Sequence, residues 1–446
     1  MLLPYLSIKS DFSSLISNGD WSFKDVKRSE TNYITHGYHR YPAKFIPQIV
    51  SKLILNYTSK GDIVLDPFGG CGTTLVEAKT LGRKSMGFDI NPVAKLITET
   101  KTTPLKPDSI DKYLNKFVND FNHLKNKNAQ LTHSQRTNYW FQPSVQNELD
   151  RLYLAINNIK NHRVRRFYLC SFSHILKNCS RWLMKSIKPQ IDSNKIPPDV
   201  IKVFLGHIKH MMSKNREFYE LLGSSKNLDT PAKMRLTDST EKFPLEDNSV
   251  DLIVTSPPYV TSYEYADLHQ LILLWLGDDP KRFSRWYKYA QQYQAFRGKF
   301  VGTKLAELKN NKENKEFLSF IAHKIIDQLP NNRQYAKSVI RYFSDMQKSI
   351  AEMYRVLKPG KKICIIIGNT TLAGVHIKNA EVAAEQMQNQ GFILKDIIKR
   401  ELSNKMITPW RDKINGRFTS ITNLQKTRVY EHEFILIAEK PRNLSN

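Results

Sequence analysis

Short apolar runs bounded by turn-forming residues recur along the chain and predict the strands of a buried sheet. They cover residues 62–65, 84–88, 250–254, 362–369 and 431–438. Helical patterns follow two of these runs, at 75–78 and at 377–390. This alternation of strands and helices predicts an α/β fold with a mostly parallel sheet.

Two long stretches interrupt the α/β rhythm, and we expect them to be basic, largely helical insertions. The first, 104–230, has apolar residues at helical spacing in two places: Leu149, Leu152, Ala155, Ile156 and Ile159, and then Phe204, Ile208, Met211 and Met212. The second, 280–340, contains a polar segment at 307–316 that predicts a mobile loop or a frayed helix end.

The positive charge of the chain is concentrated in these insertions. The formal net charge is +26 over 446 residues. Residues 101–230 hold 22 Lys and Arg against 10 Asp and Glu, and residues 281–340 hold 13 against 4, so these two stretches carry +21. Localised positive charge with interleaved aromatic residues indicates a nucleic-acid groove rather than a uniformly basic surface. A nucleic acid is therefore the expected partner, and the first insertion resembles a DNA-contacting module; double-stranded DNA itself is not indicated by charge alone.

Cysteine usage and hydropathy indicate a soluble, cytoplasmic protein. The four cysteines are Cys71, Cys170, Cys179 and Cys364. No two have the C-x-x-C spacing, so neither a zinc site nor a disulfide scaffold is expected. The N-terminus lacks the pattern of a signal peptide, and the longest apolar runs are far below the ~20 residues of a membrane span. No membrane association is expected.

A glycine-rich stretch between a predicted strand and a predicted helix is the first candidate ligand site. Its residues are Asp66, Pro67, Phe68, Gly69, Gly70, Cys71, Gly72, Thr73 and Thr74. Glycines let a backbone approach a ligand, and a helix N-terminus offers free N–H groups. The stretch matches neither a phosphate-binding P-loop nor G-x-G-x-x-G. Asp89 closes the next strand, where an acidic residue holds ribose hydroxyls in Rossmann-like sites; the alternative is a helix cap before Pro92.

A rigid turn after the run at 250–254 is the second candidate site. It reads Thr255, Ser256, Pro257, Pro258 and Tyr259. Two prolines end the strand at once because proline cannot donate a ladder hydrogen bond. The turn then presents a hydroxyl, fixed carbonyls and an aromatic ring at a strand's carboxyl end, where open α/β sheets bind ligands. This arrangement suits a flat ring that carries an amino group.

The aromatic and basic stretch at 36–47 precedes the first of these sites. His36 and His39 are three residues apart, but no third ligand lies nearby, so ordinary structural roles are favoured over a metal site. The later part of the stretch, with Lys44 and Phe45, opens a helical pattern in which Ile49, Leu53 and Leu55 are apolar. Such a stretch could line a small-molecule pocket.

The two candidate sites together resemble the motifs of the amino-group DNA methyltransferases that use S-adenosylmethionine. Residues 66–74 resemble that family's cofactor motif, D-P-F-x-G-x-G-T, and residues 255–259 resemble its catalytic motif, (D/N/S)-P-P-(Y/F). The serine form, T-S-P-P-Y, resembles the N4-cytosine branch. Residues 36–47 resemble the element that precedes the cofactor motif in many members. The resemblance implies a Rossmann-like class I methyltransferase fold.

The resemblance also implies a role for each catalytic residue. Ser256 Oγ and the carbonyl of Pro257 would accept hydrogen bonds from the target amine and stabilise the charge that develops on it. Pro258 would keep the turn rigid, and Tyr259 would stack on the base. The base has to leave the duplex to reach this pocket, so base flipping is implied.

S-adenosylmethionine is the implied cofactor, and no metal is expected. The glycine-rich turn would hold its methionine part and Asp89 its ribose. Asp238, expected to end a further short strand, would accept a hydrogen bond from its adenine amino group. The residues expected to bind the cofactor are Lys44, Phe45, Asp66, Pro67, Phe68, Gly70, Gly72, Thr73, Thr74, Asp89 and Asp238.

The expected organisation follows the resemblance and the two insertions. The methyltransferase domain is expected in three parts: 31–103 for the cofactor, 231–279 for catalysis and 341–446 at the C-terminus. The remaining segments are an N-terminal extension at 1–30, a target-recognition insertion at 104–230 and a second DNA-contacting insertion at 280–340.

The leading hypothesis is a site-specific N4-cytosine DNA methyltransferase of a restriction–modification system, with a cognate endonuclease as a possible partner. N6-adenine methylation is the nearest alternative, because the pocket chemistry is shared. RNA or protein-amide methylation and an inactive DNA-binding relative are weaker alternatives. A C5-cytosine enzyme is disfavoured because no cysteine follows a proline, and the H-x-E and P-C-x-x-C motifs of zinc deaminases are absent from the sequence.

Overall fold

A seven-stranded sheet runs through the α/β part of the protein. The computed structural model describes residues 11–42, 44–124, 131–260, 264–303, 319–330, 333–402, 410–412, 419–428 and 432–442. The sheet strands are β1 (Ile63–Asp66), β2 (Lys84–Asp89), β3 (Ala232–Leu236), β4 (Val250–Thr255), β5 (Leu357–Ile367), β8 (Ile393–Glu401) and β11 (His432–Glu439). Two small antiparallel pairs join β6 (Thr370–Leu372) to β7 (Val375–Ile377) and β9 (Trp410–Asp412) to β10 (Lys426–Arg428).

The order of the strands creates a crevice at one place in the sheet. The spatial order is β3-β2-β1-β4-β5-β11-β8. The first five strands are parallel, and β11 pairs antiparallel with both β5 and β8. The chain builds outward from β1 to β3 and then returns to β4 on the other side of β1. Ligands of open α/β sheets bind at such a switch point, outside the carboxyl ends of the strands.

Helices surround the sheet and form most of the region between β2 and β5. They are α1 (Arg28–Thr31), α2 (Pro47–Tyr57), α3 (Thr73–Thr80), α4 (Pro92–Thr102), α5 (Pro107–His123), α6 (Gln135–Trp140), α7 (Pro143–Asn157), α8 (His162–Cys179), α9 (Val200–Ser224), α10 (Tyr265–Leu268), α11 (Gln270–Gly277), α12 (Ser284–Gln291), α13 (Tyr293–Gly298), α14 (Phe320–Gln328), α15 (Arg333–Val356) and α16 (Asn379–Asn389). Within the described ranges, no helix is both long and apolar enough to cross a lipid bilayer.

The sequence pattern of α2 was interpreted wrongly at one position. Leu55 was expected on the apolar face, but 56% of its surface is exposed. Val50 and Ile54 are buried instead, beside Ile49 and Leu53. At 100° per residue, positions 49, 50, 53 and 54 lie on one face, whereas Leu55 is turned about 200° from Leu53.

The first insertion has its own apolar core and packs against the α/β part. As the helical spacing predicted, Leu149 and Leu152 of α7 and Phe204 and Ile208 of α9 are fully buried. The same cluster of buried residues includes Val93 of α4, which follows β2. The segment at 307–316, interpreted as a mobile loop or a frayed helix end, lies outside the described residues.

The described part of the N-terminal extension packs along the edge strand β8 of the sheet. Its sequence has no periodicity, yet Phe12 and Trp21 are buried. The Phe12 ring lies 5.7 Å from the ring of Phe434 in β11. The backbone N–H of Asn18 donates to the carbonyl of Lys399 in β8 at 2.8 Å. Two single aromatic anchors on 3₁₀ turns leave no periodic signal, which is why the sequence pattern missed this contact.

Candidate cofactor and catalytic site

The two candidate loops lie side by side at the switch point. β1 ends at Asp66 and β4 ends at Thr255, and the two strands are parallel neighbours with Leu65 paired to Ile253. All of β4 is buried. The glycine-rich turn leaves the end of β1 and the Ser-Pro-Pro-Tyr turn leaves the end of β4. The structure therefore brings together two stretches that are almost 190 residues apart in the chain.

The carboxylate of Asp66 ties these two turns together. It accepts hydrogen bonds from Thr255 Oγ1 at 2.7 Å, Thr74 Oγ1 at 2.7 Å and the Phe68 N–H at 3.1 Å. Asp66 is fully buried, and burial raises its pKa to about 6 against the lowering effect of these three donors. Both carboxylate oxygens accept hydrogen bonds from the protein itself. Asp66 therefore holds the shape of the glycine-rich turn at 66–74, the candidate cofactor turn, and the position of the Ser-Pro-Pro-Tyr turn at 256–259, the candidate catalytic turn.

The glycine-rich turn has a backbone that side chains would disturb. Gly70 and Gly72 have positive φ angles, +48° and +75°. A Cβ atom on Gly72 would lie 2.5 Å from Thr98 Cγ2, and one on Gly70 would lie 3.3 Å from Tyr41 Oη. α3 begins directly after Gly72, with Thr73 and Thr74 buried in its first turn. The close backbone and the helix N-terminus suit the methionine part of an S-adenosyl cofactor.

Two of the three acidic residues expected to bind the cofactor, Asp89 and Asp238, flank this turn. Asp89 ends β2, and its Oδ2 accepts the Gly70 N–H at 3.1 Å while its Oδ1 accepts the Asn91 N–H at 2.8 Å. Burial raises the pKa of Asp89 to about 6. Asn91, not Asp89, caps α4 by accepting from the Val93 N–H at 3.0 Å. This leaves Asp89 free of the capping role that was its alternative.

Asp238 lies two residues beyond the end of the strand that it was expected to close. It was expected to end a short strand, but β3 ends at Leu236 and Asp238 is in the turn that follows. Its Oδ1 accepts hydrogen bonds from the N–H and the hydroxyl of Thr240, at 2.9 and 2.8 Å. The next residue, Ser239, donates to the carbonyl of Pro67. The Asp238 turn is thereby attached to the cofactor turn.

The stretch that precedes α2 contributes a tyrosine that the sequence reasoning did not select. Lys44 Nζ donates to Asn32 Oδ1 at 2.8 Å and to the His36 carbonyl at 3.0 Å, and burial lowers its pKa to about 8. Phe45 packs against an apolar cluster that includes Val64 of β1. The Tyr41 ring, by contrast, borders Gly70. The sequence did contain a signal for this residue, because Tyr41 is an aromatic residue between His39 and Lys44 in the stretch that was expected to line a pocket.

The catalytic turn presents Ser256 half-buried beside a fixed aromatic ring. Tyr259 Oη donates to Glu433 Oε1 at 2.9 Å, and burial keeps the pKa of this hydroxyl well above its usual value. Arg400 NH1 binds Glu433 Oε2 at 2.5 Å, and its Nε donates to the carbonyl of Trp21 at 2.8 Å. Arg400 is only 3% exposed. Glu433 and Arg400 thus anchor the ring from β11 and β8, and sequence reasoning missed both.

Gly368 lies against this ring and leaves room for it because it has no side chain. It directly follows β5, and a Cβ atom there would lie 3.2–3.4 Å from three atoms of the Tyr259 ring. Any larger residue would push the ring out of position. The Tyr259 ring, held by Glu433 and bordered by Gly368, has a fixed position on which a flat base can stack.

Tyr259→Phe is expected to lower turnover about tenfold while leaving cofactor affinity within about twofold. The reason is that one hydrogen bond to a charged group, worth about 1.5 kcal/mol, no longer orients the ring. Single-turnover methylation rates and cofactor titration by calorimetry measure the two effects. The matched control is Tyr33→Phe, which removes a hydrogen bond of similar kind to Glu77, at 2.5 Å, outside the turn. Equal turnover in the wild type and Tyr259→Phe would contradict the anchoring role.

His36 and His39 contact different partners. His36 Nε2 is 2.6 Å from Glu77 Oε1, and His39 Nε2 is 3.0 Å from Ser173 Oγ. Over the described ranges, no group of three or more His, Cys, Asp or Glu residues could hold a metal ion. His39 instead belongs to a row of imidazoles: its ring lies 5.4 Å from that of His174 and 5.9 Å from that of His269.

The histidine row predicts a loss of stability in acid. Burial lowers the pKa of His39 to about 4 and that of His269 to about 3. An unfolded histidine has a pKa of about 6.5. As the pH falls from 7 to 5, the histidine therefore binds a proton in the unfolded chain but stays neutral in the folded protein, which favours unfolding. Each such residue therefore lowers the free energy of unfolding by about 2 kcal/mol over this interval.

His269→Phe isolates this effect, because the ring size is kept and neither ring nitrogen has a hydrogen-bond partner in the described part of the chain. Urea unfolding at pH 7 and pH 5 should show a smaller loss of stability in His269→Phe than in the wild type, by about 2 kcal/mol. The other titrating groups cancel in this difference. Identical losses in the two proteins would mean that His269 is protonated in the folded state.

Comparison with known proteins agrees with this geometry. The sequence profile of the N6/N4 DNA methylase family matches residues 10–100 and 250–445, which include both candidate loops. The type II methyltransferase M.MvaI of Kocuria varians is 27% identical over 379 residues, covering 80% of this chain and 82% of that protein. The type II methyltransferase M.BsoBI of Geobacillus stearothermophilus is 23% identical over 408 residues, covering 82% and 80%.

A third relative has a higher identity over a much shorter stretch. The type II methyltransferase M.MjaII of Methanocaldococcus jannaschii is 38% identical over 102 residues, which are 22% of this chain and 19% of that protein. The family profile covers well over half of the chain and takes in every strand of the sheet except β3, together with the glycine-rich turn and the Ser-Pro-Pro-Tyr turn. The chain therefore belongs to the N6/N4 DNA methylase family, and its methyl donor is S-adenosylmethionine.

Proposed function

We propose that this protein is a type II DNA methyltransferase that methylates the N4 amino group of a cytosine within a specific duplex sequence. The observation that carries the proposal is the position of Ser256, at the carboxyl end of β4 and one residue from the Thr255–Asp66 hydrogen bond that fixes the cofactor turn. The type II assignment follows the names of the relatives. A cognate restriction endonuclease is the expected partner in such a system.

The difficulty of the reaction is that an exocyclic amine is a weak nucleophile, because its lone pair is delocalised into the ring. Ser256 Oγ and the carbonyl of Pro257 accept the two N–H bonds of this amine and stabilise the positive charge that develops on the nitrogen. Tyr259 stacks on the flipped base, with its ring held by Glu433. The protein thus supplies orientation and charge stabilisation.

S-adenosylmethionine supplies an electrophilic methyl group on a sulfonium. The residues proposed to bind it are Lys44, Phe45, Asp66, Pro67, Phe68, Gly70, Gly72, Thr73, Thr74, Asp89 and Asp238. Asp89, with its carboxylate beside Gly70, is proposed to bind the ribose hydroxyls, and Asp238 the adenine amino group. To this set we add Tyr41, because its hydroxyl borders Gly70. Asp66 contributes to binding indirectly, by holding the glycine-rich turn in shape, since both of its carboxylate oxygens accept hydrogen bonds from the protein.

The basic insertions are proposed to bind the DNA around the flipped base. Residues 101–230 and 281–340 carry +21 of the net charge, and both adjoin the segments that hold the two candidate loops. Neutralising several phosphates releases counterions, so DNA affinity should fall steeply between low and moderate salt. An affinity that does not change with salt would contradict this assignment.

Adenine N6 is the second candidate target, because the acceptors on Ser256 and Pro257 suit either amine. Cytosine is favoured by the serine form of the motif. Mass spectrometry of nucleosides from plasmid DNA incubated with the protein and S-adenosylmethionine distinguishes the two. N4-methylcytosine is the expected product, and N6-methyladenine as the sole product would overturn the cytosine assignment. Methylation of RNA but not of duplex DNA would overturn both.

A further inference from the structure

A small cavity lies where the loop after the His36 turn meets the helical insertion. Its volume is about 50 Å³, and it lies between the segment at 39–40, α8 and the α10–α11 region. The polar residues that line it are His39, Arg40, Ser173, His174, Lys177 and His269. None of them belongs to the proposed cofactor set or the catalytic turn.

The cations of this cavity have no counter-charge in the described part of the chain. Arg40 NH1 donates to the side-chain oxygen of Asn178 at 2.7 Å, and Lys177 Nζ donates to the carbonyl of Ser186 at 2.8 Å. Neither forms an ion pair with a carboxylate among the described residues. Burial, followed by the charge of Arg40, lowers the pKa of Lys177 to about 8. Two like charges held together indicate a place for an anion.

His269 gives an independent indication that the cavity has an occupant. It is 5% exposed, and neither of its ring nitrogens forms a hydrogen bond of good geometry within the described ranges. The Arg40 backbone beside the ring only partly offsets the lowering of its pKa by burial, and the Arg40 carbonyl is already bonded to His39 Nδ1 at 2.9 Å. Nδ1 of His174, which also lines the cavity, lacks a partner there as well. Leaving a buried polar group unpaired costs about 1–3 kcal/mol, so such groups are rare without a function. A neutral imidazole has one N–H to donate.

We propose that this cavity binds one oxyanion, a phosphodiester group of the DNA, through Arg40, Lys177 and the His269 N–H. The proposal rests on the proposed DNA methyltransferase function and adds a binding site to it. The cavity opens at the seam between the α/β part and the first insertion, which lies within the stretch 101–230 that carries +12. The Tyr41 ring connects it to the cofactor turn, because this ring lies 4.9 Å from that of His269 and borders Gly70. A phosphate held here would lie close to the flipped nucleotide.

The carboxylate of the cofactor is the other possible source of such an anion. A carboxylate accepts the same hydrogen bonds as a phosphate, and only the Tyr41 ring separates His269 from the glycine-rich turn. The two sources differ in what a mutation affects. Loss of a DNA phosphate contact changes DNA affinity and its salt dependence, whereas loss of a carboxylate contact changes cofactor affinity without DNA.

Lys177→Gln tests the charge and His269→Phe tests the donor. In Lys177→Gln the amide still donates to the Ser186 carbonyl, and in His269→Phe a ring of similar size remains beside Tyr41. The matched control is Lys84→Gln. This exposed lysine lies at the amino end of β2, whereas the candidate loops follow the carboxyl ends of the strands. The affinity of each protein for a 30-base-pair duplex is measured by fluorescence anisotropy between 50 and 300 mM salt, and cofactor affinity is measured by calorimetry without DNA.

Lys177→Gln is expected to weaken DNA binding about tenfold and to lower the salt slope by about 1, as for one lost phosphate contact. His269→Phe is expected to weaken binding about tenfold with an unchanged slope, because its donor is neutral. Lys84→Gln should match the wild type in both. Melting temperatures confirm that each variant is folded.

Equal slopes and affinities in the wild type, Lys177→Gln and His269→Phe would overturn the proposal. So would a loss of cofactor affinity without DNA, which would assign the cavity to the carboxylate. Neither result depends on which base is methylated, so a failure of the cytosine assignment is distinguishable from a failure here. A wild-type protein that binds no duplex DNA at all would instead contradict the proposed function.

Discussion

Ser256→Ala is expected to lower the turnover of DNA methylation about 10²–10³-fold while cofactor affinity changes less than about twofold. The magnitude is that of removing one hydrogen-bond acceptor or donor aimed at the charge that develops in a transition state. Ser256 is half-buried in the catalytic turn, and the shape of the neighbouring cofactor turn is maintained by Asp66 and not by Ser256. The expected loss therefore falls on kcat and leaves cofactor binding unaffected.

Single-turnover rates with radiolabelled cofactor and calorimetric titration of the cofactor measure these two quantities. Ser249→Ala is a matched control, because this half-buried serine lies just before the start of β4, at the end away from Ser256, and its hydroxyl donates to the carbonyl of Glu246 at 2.7 Å. It should retain full turnover. A parallel loss of turnover and cofactor affinity in Ser256→Ala would mean that Ser256 shapes the site and does not act on the amine.

Asp66→Ala is expected to lower the free energy of unfolding by about 3 kcal/mol or more and to weaken both cofactor binding and turnover. The substitution leaves the hydroxyls of Thr74 and Thr255 and the Phe68 N–H without their shared acceptor in a fully buried place. Buried donors that lose an acceptor cost about 1–3 kcal/mol each. Because one carboxylate holds both turns, the loss is expected in both functions at once.

Two smaller substitutions separate the parts of this effect. Asp66→Asn keeps one oxygen for Thr255 and Phe68 and should retain most of the stability. Thr255→Ala removes only the bond to the catalytic turn, so it should lower turnover more than cofactor affinity. Chemical denaturation, calorimetry and single-turnover kinetics of the three variants provide the comparison. Asp66→Ala with wild-type cofactor affinity would show that the two turns are held independently.

The parts of the site that follow directly from local sequence were predictable. β1, β2, β4 and β11 follow the apolar runs that predicted them, and each of the two candidate turns begins at the end of its strand. Proline and glycine restrict the backbone through their own covalent structure, so their effect can be recognised without tertiary information. The family is also identified through these same stretches.

Other features could not be predicted from local patterns. Leu55 looked apolar enough for a core position, yet it is exposed because the face of α2 is set by its neighbours on the sheet. The two histidines at 36 and 39 looked alike, yet they contact Glu77 and Ser173 in different parts of the protein. Phe12 and Trp21 gave no periodic signal, although they attach the N-terminal segment to the sheet.

The sequence by itself determined the units of this protein: strands that end in a glycine-rich turn or a double-proline turn, and basic helical insertions between them. These units depend on neighbouring residues and on composition, which a linear sequence displays. Only the tertiary structure decided which residues support the chemistry. The Asp66–Thr255 and Tyr259–Glu433 bonds span 189 and 174 residues. No local pattern encodes such pairs, because strand order and packing alone bring their atoms within hydrogen-bonding distance.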